Sequence, residues 1–365
     1  MKFSISKESF LEELQLLQGI VEKRNTMPIL ANILMDVSAS DIELTGTDLE
    51  VGLRTHIVAA IDKAGAITVN GKKIFEIVKS LPEGQTVQIE KIDDNIEIKS
   101  GDSEFKILCL PKEDYPQVPE PKFEKGIKLG LKDLKDMIDR VYYAITQEQR
   151  YYLNGAQLSL KNRQIELVST DGHRLSYTKK AEDGLKLDQD ISVIVAKKTL
   201  NEIRKFEDET VEFDLDENNL FFKVGQRILI SRIIDSKFPN FQAVIPKDNP
   251  GRLAVSREEL ANAIRRVSLL SAERSKGIKF TIEKNRMRLF SSNPEIGEAR
   301  DRLAVEYKGQ DLEIGFNAQY LLDFLLAVAS ERVVFEIKDE NSAVLIKPEA
   351  EEGITNIYVL MPMKI

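Results

Sequence analysis

The chain has 365 residues, 42% apolar and 31% charged, enough material for two or three soluble domains with hydrophobic cores. No apolar run approaches the roughly 18 residues of a membrane helix, and the opening Met1-Lys-Phe-Ser-Ile5 begins no secretory signal. One cysteine, Cys109, excludes an intramolecular disulfide and fits a reducing cytoplasm; two histidines, His56 and His173, leave a zinc site or a Cys/His nucleophile pair poorly supplied. A formal charge of −8 argues against nucleic-acid binding only as a sum; where the cations sit matters more.

Prolines cluster twice, from Pro111 through Pro116, Pro119 and Pro121, and from Pro239 through Pro246 to Pro250-Gly251. Both stretches read as extended linkers. They divide the chain into 1–121, 122–248 and 249–365, each of about 120 residues, a common domain size.

The thirds share one pattern. Each opens with a short alternating strand: Phe3 and Ile5, Ile127 and Leu129, Leu253 and Val255. Each strand runs into a helix with helical spacing of apolar positions: Phe10/Leu14/Leu17/Val21, Leu134/Ile138/Val141/Ile145 and Leu260/Ile264/Val267, the last set reaching Ser271. Ser256 with Glu259 is a capping box that starts the third of these helices. A second helix recurs around Ile74, Phe75, Val78 and Leu81, around Leu200, Ile203 and Phe206, and around Leu321, Leu322, Leu325 and Val328. Strands follow at Val87/Ile89, Val211/Phe213 and Val333/Phe335. A further strand follows at Ile96/Ile98, Leu220/Phe222 and Val344/Ile346, with Ile96, Leu220 and Val344 standing 124 residues apart. Internal repetition of this length marks three copies of one unit. Each copy is predicted to be α+β, two helices packed on antiparallel strands. Such units can extend one another's sheets edge to edge; three make an arc, and two arcs meeting head to tail make a ring.

Catalytic motifs are scarce. Gly65 to Lys72 misses the P-loop spacing by one residue and is followed by Lys73, not a magnesium-binding hydroxyl, so it reads as strand, turn and helix start. No G-x-G-x-x-G occurs. Thr170-Asp-Gly-His-Arg-Leu175 gathers Asp, His and Arg, but sequence neighbours rarely make a triad, and Asp-Gly signals a turn. The matching Thr47-Asp-Leu-Glu50 of the first third has no histidine, which favours a turn or binding surface. Basic residues recur at helix starts and adjoining loops: Lys23-Arg24, Lys72-Lys73, Lys132 with Lys135, Lys197-Lys198, Arg204-Lys205 and Arg265-Arg266. Lys198, Asn201 and Lys205 fall together on a helical wheel, away from Leu200 and Ile203. Their recurrence in successive repeats suits a shared, non-specific phosphate surface.

Four stretches carry a resemblance: Thr45-Gly-Thr-Asp-Leu-Glu50, Arg150-Tyr-Tyr-Leu-Asn-Gly155, Thr170-Asp-Gly-His-Arg-Leu175 and the ending Val359-Leu-Met-Pro-Met-Lys-Ile365. Together with the three repeats and both linkers they make the whole chain similar to the bacterial sliding clamp family, the β subunit of DNA polymerase III. The resemblance implies the DNA-clamp fold, a head-to-tail homodimeric ring with helices lining the hole. It also implies a cytoplasmic, non-catalytic processivity factor without metal or cofactor. Implied partners are duplex DNA, encircled without sequence preference, and polymerase subunits, clamp loader and repair proteins bound through short hydrophobic motifs. Six domains with a radius of gyration near 13–14 Å leave a hole of roughly 30 Å, wide enough for a duplex.

Carried over residue by residue, the resemblance places Arg24, Lys72, Lys73, Gln147, Arg150, Tyr151 and Tyr152 near DNA, where Lys198 and Lys205 join them on helical position. The partner-peptide pocket takes Leu153, Thr170, Gly172, His173, Arg174, Leu175, Pro239, Val244, Asn317, Tyr320, Val359, Met361, Pro362 and Met363. Phe105 and Ile107 of one chain meet Leu269 and Leu270 of another at the dimer contact, Leu269 lying opposite its helix's core stripe. Ala243 stands where some members have arginine, and Lys364-Ile365 replaces a common Arg-Leu ending; both bear on the pocket rim. Two other readings stay open on the residues alone: an enzyme using Asp171 and His173, and a monomeric protein-interaction scaffold without a DNA role.

Overall fold

A computed structural model describes residues 1–21, 27–123, 126–146, 151–273 and 275–364, with Tyr151 described by its backbone alone. The first third holds β1 (Lys2–Ser6), α1 (Lys7–Leu17), β2 (Asn32–Val37), β3 (Ile42–Thr47), β4 (Val51–Ile57), β5 (Ala60–Lys63), β6 (Gly65–Asn70), α2 (Gly71–Ser80), β7 (Thr86–Ile92), β8 (Asn95–Ser100) and β9 (Ser103–Leu110). The second holds β10 (Ile127–Gly130), α3 (Leu131–Tyr142), β11 (Gly155–Lys161), β12 (Gln164–Thr170), β13 (Arg174–Ala181), β14 (Ile191–Ala196), α4 (Lys197–Ile203), β15 (Thr210–Leu215), β16 (Asn219–Val224) and β17 (Arg227–Arg232). The last holds β18 (Gly251–Ser256), α5 (Arg257–Ser268), β19 (Gly277–Glu283), β20 (Arg286–Asn293), β21 (Gly297–Ala304), β22 (Glu306–Lys308), β23 (Leu312–Asn317), α6 (Ala318–Ala327), β24 (Arg332–Ile337), β25 (Val344–Pro348) and β26 (Ile354–Leu360).

The residues group into two compact units, one of Met1–Leu134 with Lys198–Ile233, the other of Lys135–Lys197 with the chain from Ile234 onward. Sheet pairing explains why the middle third is shared out. In the first unit a 13-stranded sheet runs β10-β15-β16-β17-β4-β3-β2-β6-β9-β8-β7-β1-β5, so half of the middle third continues the first third's sheet through β17 and β4. In the second unit a nine-stranded sheet runs β14-β11-β12-β13-β26-β25-β24-β18-β22, joined through β13 and β26, and a four-stranded sheet runs β21-β20-β19-β23. Every pairing is antiparallel.

Strand-to-helix joints follow one local rule. Ser6, Asn70, Ser256 and Asn317 each end a strand and cap the next helix, accepting hydrogen bonds from Ser9 N, Lys73 N, Glu259 N, and Gln319 N with Tyr320 N. A side-chain acceptor at that place satisfies helix-start donors that have no carbonyl partner. β6 therefore passes into α2 without the loop a phosphate cradle needs. α1 is shorter than its apolar spacing predicts: it stops at Leu17, yet Ile20 and Val21 beyond it stay buried.

Most expected core positions are inside, while Phe75, Ile127 and Leu322 are half-buried. Phe3, Phe10, Leu14, Ile74, Val78, Val87, Ile89, Ile96 and Ile98 are buried in the first unit, as are Leu220 and Phe222. In the second, α5 and α6 cover the four-stranded sheet and one face of β18, β24 and β25, burying Leu260, Ile264, Val267, Phe280, Phe316, Phe324 and Tyr358. Gly155 opens β11 where a Cβ would run into the Val195 carbonyl oxygen of β14. Gly155→Ala must therefore force backbone apart, and we expect a loss of about 1–3 kcal/mol, read as a lower thermal midpoint.

Candidate functional site

The Thr170–Leu175 turn links β12 to β13. Asp171 Oδ1 accepts from His173 N (2.9 Å) and Arg174 N (3.0 Å), Thr170 Oγ1 accepts from Gly172 N, and Gly172 takes φ +92°, a conformation open to glycine. Arg174 then leaves the turn nearly buried. Its Nε meets Asp171 Oδ2 at 3.0 Å, Nη1 meets Asp323 Oδ2 at 2.6 Å, and Nη2 donates to the Tyr143 carbonyl at 2.5 Å. The guanidinium also lies 4.1 Å from the centroid of the Tyr320 ring. A planar fork with several donors fits these partners, and a lysine would not. Asp171 is spent on this turn and on Arg174, and the His173 ring makes no hydrogen bond among the described residues. Asp171 therefore does not orient the imidazole as the acid of a triad would.

Beside the turn lies an apolar cluster of Leu153, Val168, Leu175, Ile194, Ile234, Phe238 and Val359. Tyr177, Phe241 and Ile245 pack partly buried against it, and the Phe241 ring sits 5.4 Å from that of Tyr177. The tail crosses its rim: Met361 N donates to the His173 carbonyl at 3.0 Å and Met363 N to the Gly315 carbonyl at 2.9 Å. Met361 and Val244 stay exposed, at 47% and 54%, and Pro239 is exposed as well. Asn317 caps α6 one turn from Tyr320. The structure thus groups Leu153, Leu175 and Val359 in one cluster and sets the turn, Met361 to Met363 and Tyr320 around it. Val168, Ile194, Phe238 and Phe241 are additions. The aromatic residues flanking Pro239 were a usable signal for the last two.

Among the DNA-side expectations, Arg24, Gln147, Arg150 and the Tyr151 side chain lie outside the described residues. Tyr152 is 39% exposed. Lys72 and Lys73 are exposed on the first turn of α2, within 3.5 and 3.0 Å of Glu76. Lys198 bonds Asp48 Oδ2 at 2.5 Å and the Ile20 carbonyl at 2.9 Å, while Lys205 meets both Glu202 oxygens at 2.6 and 2.7 Å. α4 ends at Ile203, so Lys205 stands just past it. A Cβ at Gly19 would lie 2.5 Å from Glu202, and Gln18 Nε2 donates to the Gly71 carbonyl. The end of α1 thus touches both the start of α2 and the end of α4, gathering these lysines on one side of the first unit. In the second unit, burial and the Arg174 charge hold the Lys197 ammonium below the usual lysine range, against the pull of Asp171.

On β9, Phe105 and Ile107 are half-buried between exposed Glu104, Lys106 and Leu108; beyond α5, Leu269 is 76% exposed and Leu270 half-buried. Among the described residues no His, Cys, Asp and Glu cluster could hold a metal, and no helix is long and apolar enough to cross a membrane.

Comparison with known proteins matches the whole chain. Residues 1–119, 128–240 and 242–364 match the N-terminal, central and C-terminal domain families of the DNA polymerase III beta subunit. Proteins named beta sliding clamp from Pseudomonas aeruginosa and Escherichia coli K12 are 35% and 32% identical, over 100% of each chain. A crystal structure of the Pseudomonas aeruginosa subunit superposes with TM-score 0.93 at 34% identity, covering 100% of both chains, and another is bound to griselimycin.

Truncating Arg174 to alanine leaves two carboxylates facing an emptied, nearly dry site. We expect a loss of about 3–5 kcal/mol in unfolding free energy, with Arg174→Lys recovering less than half, both read by denaturant titration.

Proposed function

The chain belongs to the DNA polymerase III beta subunit family, the bacterial sliding clamps, and from that premise we propose a ring of two copies, joined head to tail, that encircles duplex DNA. It is a processivity factor with no chemistry of its own. In this reading the cytoplasmic ring carries three clamp domains per chain, 1–121, 122–248 and 249–365. Polymerase subunits, the clamp loader and repair proteins dock on the apolar cluster between the Thr170–Leu175 turn and Met361–Met363.

One observation carries the ring. β4, β13 and β21 begin at Val51, Arg174 and Gly297, 123 residues apart each time. β4 pairs with β17 and β13 with β26, and the two joints have the same register. Leu53 opposes Leu229 in one, and the equivalent Ser176 opposes Tyr358 in the other. β21 and β9 are the third pair of such strands. Continuing the register from one copy to the next sets Phe105 against Ala299, both on the core side. On the outer side Glu104 meets Arg300 and Lys106 meets Glu298, so both charged pairs are complementary, as cross-strand neighbours should be. The expected contact of Phe105 and Ile107 with Leu269 and Leu270 then lies on the inner side of this joint.

Held by topology, the ring needs only weak phosphate contacts, which let it slide. Lys72, Lys73, Lys198, Lys205, Arg24, Gln147, Arg150, Tyr151 and Tyr152 serve there, and base stacking on tyrosine belongs to single-stranded sections. Lys198 and Lys205, shared with Asp48 and Glu202, supply less free charge than Lys72 and Lys73.

Two measurements test the reading. Deleting Met361 to Ile365 removes the pliable rim of the pocket; binding of a polymerase-tail peptide, expected near −8 kcal/mol or micromolar affinity, disappears in a polarisation assay while the dimer persists. Unchanged affinity would put the pocket elsewhere. For the ring, Glu104→Arg and Arg300→Glu each place like charges at both joints and weaken the dimer at least tenfold. Mixing the two variants restores opposite charges at both joints, so sedimentation shows mixed dimers; a mixture that stays monomeric rules the register out.

A further inference from the structure

The outer faces of three equivalent four-strand segments can be compared row by row. In the first unit Leu34, Thr45 and Arg54 lie side by side across β2, β3 and β4, and Asp36, Glu43 and His56 form the next row. In the second unit the matching rows are Gln157, Val168, Tyr177 and Ser159, Glu166, Lys179. On the four-stranded sheet they are Lys279, Phe290, Arg300 and Thr281, Arg288, Arg302.

The first two faces each hold a stretch of their own linker. Over the first, Tyr115 is buried with its hydroxyl 3.2 Å from Thr47 N and Thr45 O, and Arg54 donates to the Val118 carbonyl and approaches Glu120 at 3.6 Å. Over the second, Phe238 is buried and the ring of Phe241, 123 residues after Val118, lies tilted against that of Tyr177. The third face is a groove of about 600 Å³ lined by strand residues alone. Its charges differ too. Glu43 faces His56 and Glu166 faces Lys179, but the third face sets Arg288 directly against Arg302. Like charges in opposed positions repel. Arg288 reaches Glu283 at 2.8 Å, whereas Arg302 makes no ion pair among the described residues. Phe290 lies beside them, with the Arg300 guanidinium 5.4 Å from its ring centroid.

We propose that this third face is a docking groove for an extended acidic segment of another protein, which sets an apolar side chain on Phe290 and a carboxylate between Arg288 and Arg302. Such a segment supplies the two things the other faces already possess, a polypeptide across the sheet and an acid opposite the base. A polypeptide is favoured over nucleic acid because the equivalent faces hold polypeptide and because Glu313 lies in the groove, 3.3 Å from Lys279.

The chain's own first linker has the required chemistry, so the probe is a fluorescein-labelled peptide with the sequence of Glu113–Pro121. It should bind the intact protein in a polarisation assay, more weakly as salt rises. Arg288→Glu recreates the acid–base pair of the first two faces, so it should fold normally and bind the peptide at least tenfold more weakly. Phe290→Ala, which leaves the charges alone, should weaken binding as well. Peptide affinity unchanged in Arg288→Glu would overturn the proposal. So would equal binding of a peptide with its three acids replaced by Asn and Gln, or a 20-base-pair duplex that depends on Arg288 while the peptide does not.

Discussion

An unpaired strand edge is a row of backbone donors and acceptors with no partner, and this fold answers that constraint twice in the same way. β17 closes the edge of β4, and β26 closes the edge of β13, with matching register. Sheet continuity, more than helix packing, joins one repeat to the next, which is why the middle third belongs half to one compact unit and half to the other. A long strand left open at the end of such a series would template aggregation. In the proposed ring, the complementary charges on the outer sides of β9 and β21 give the third joint its partner and discourage others.

Charge is handled locally throughout. Arg227 clamps Glu13 at the first joint, its Nε 3.0 Å from both carboxylate oxygens, and Arg174 bonds Asp171 and Asp323 beside the second. Both are arginines and both form forks with carboxylates, the geometry that best offsets the cost of desolvating an ion pair. The lysines of α2 are instead exposed and loosely held by Glu76. Largely buried arginines therefore organise joints, while the lysines of α2 stay at the surface. A net charge of −8 conceals that division.

Much of the fold was legible in the chain because its period repeats. Alternation placed Val87/Ile89, Val211/Phe213 and Val333/Phe335 on strands, and the Ser256 capping box started α5 at the residue expected. Helix ends were less legible. Val21 and Ile145 continue the helical spacing but stand past the ends of α1 and α3, buried by tertiary packing. Of the candidate site, the turn and tail were readable as motifs. The partners that complete it were not: Asp323 is 149 residues from Arg174, and Val168 and Ile194 reach the pocket only through sheet register. Nothing local in a sequence marks such convergence. The same limit hid the pairing of Lys198 with Asp48, which lies 150 residues away.

The linkers give the joints unequal lifetimes. Within a chain, the segment through Tyr115 and the segment through Phe238 hold paired strands at a high effective concentration, on the order of millimolar for short tethers, so a joint that opens recloses at once. In the proposed ring the joint of β9 with β21 has no covalent tether of its own. Dilution, force or a loading machine therefore acts on that joint alone, and the ring behaves as a bracelet with its clasps between chains and permanent links elsewhere.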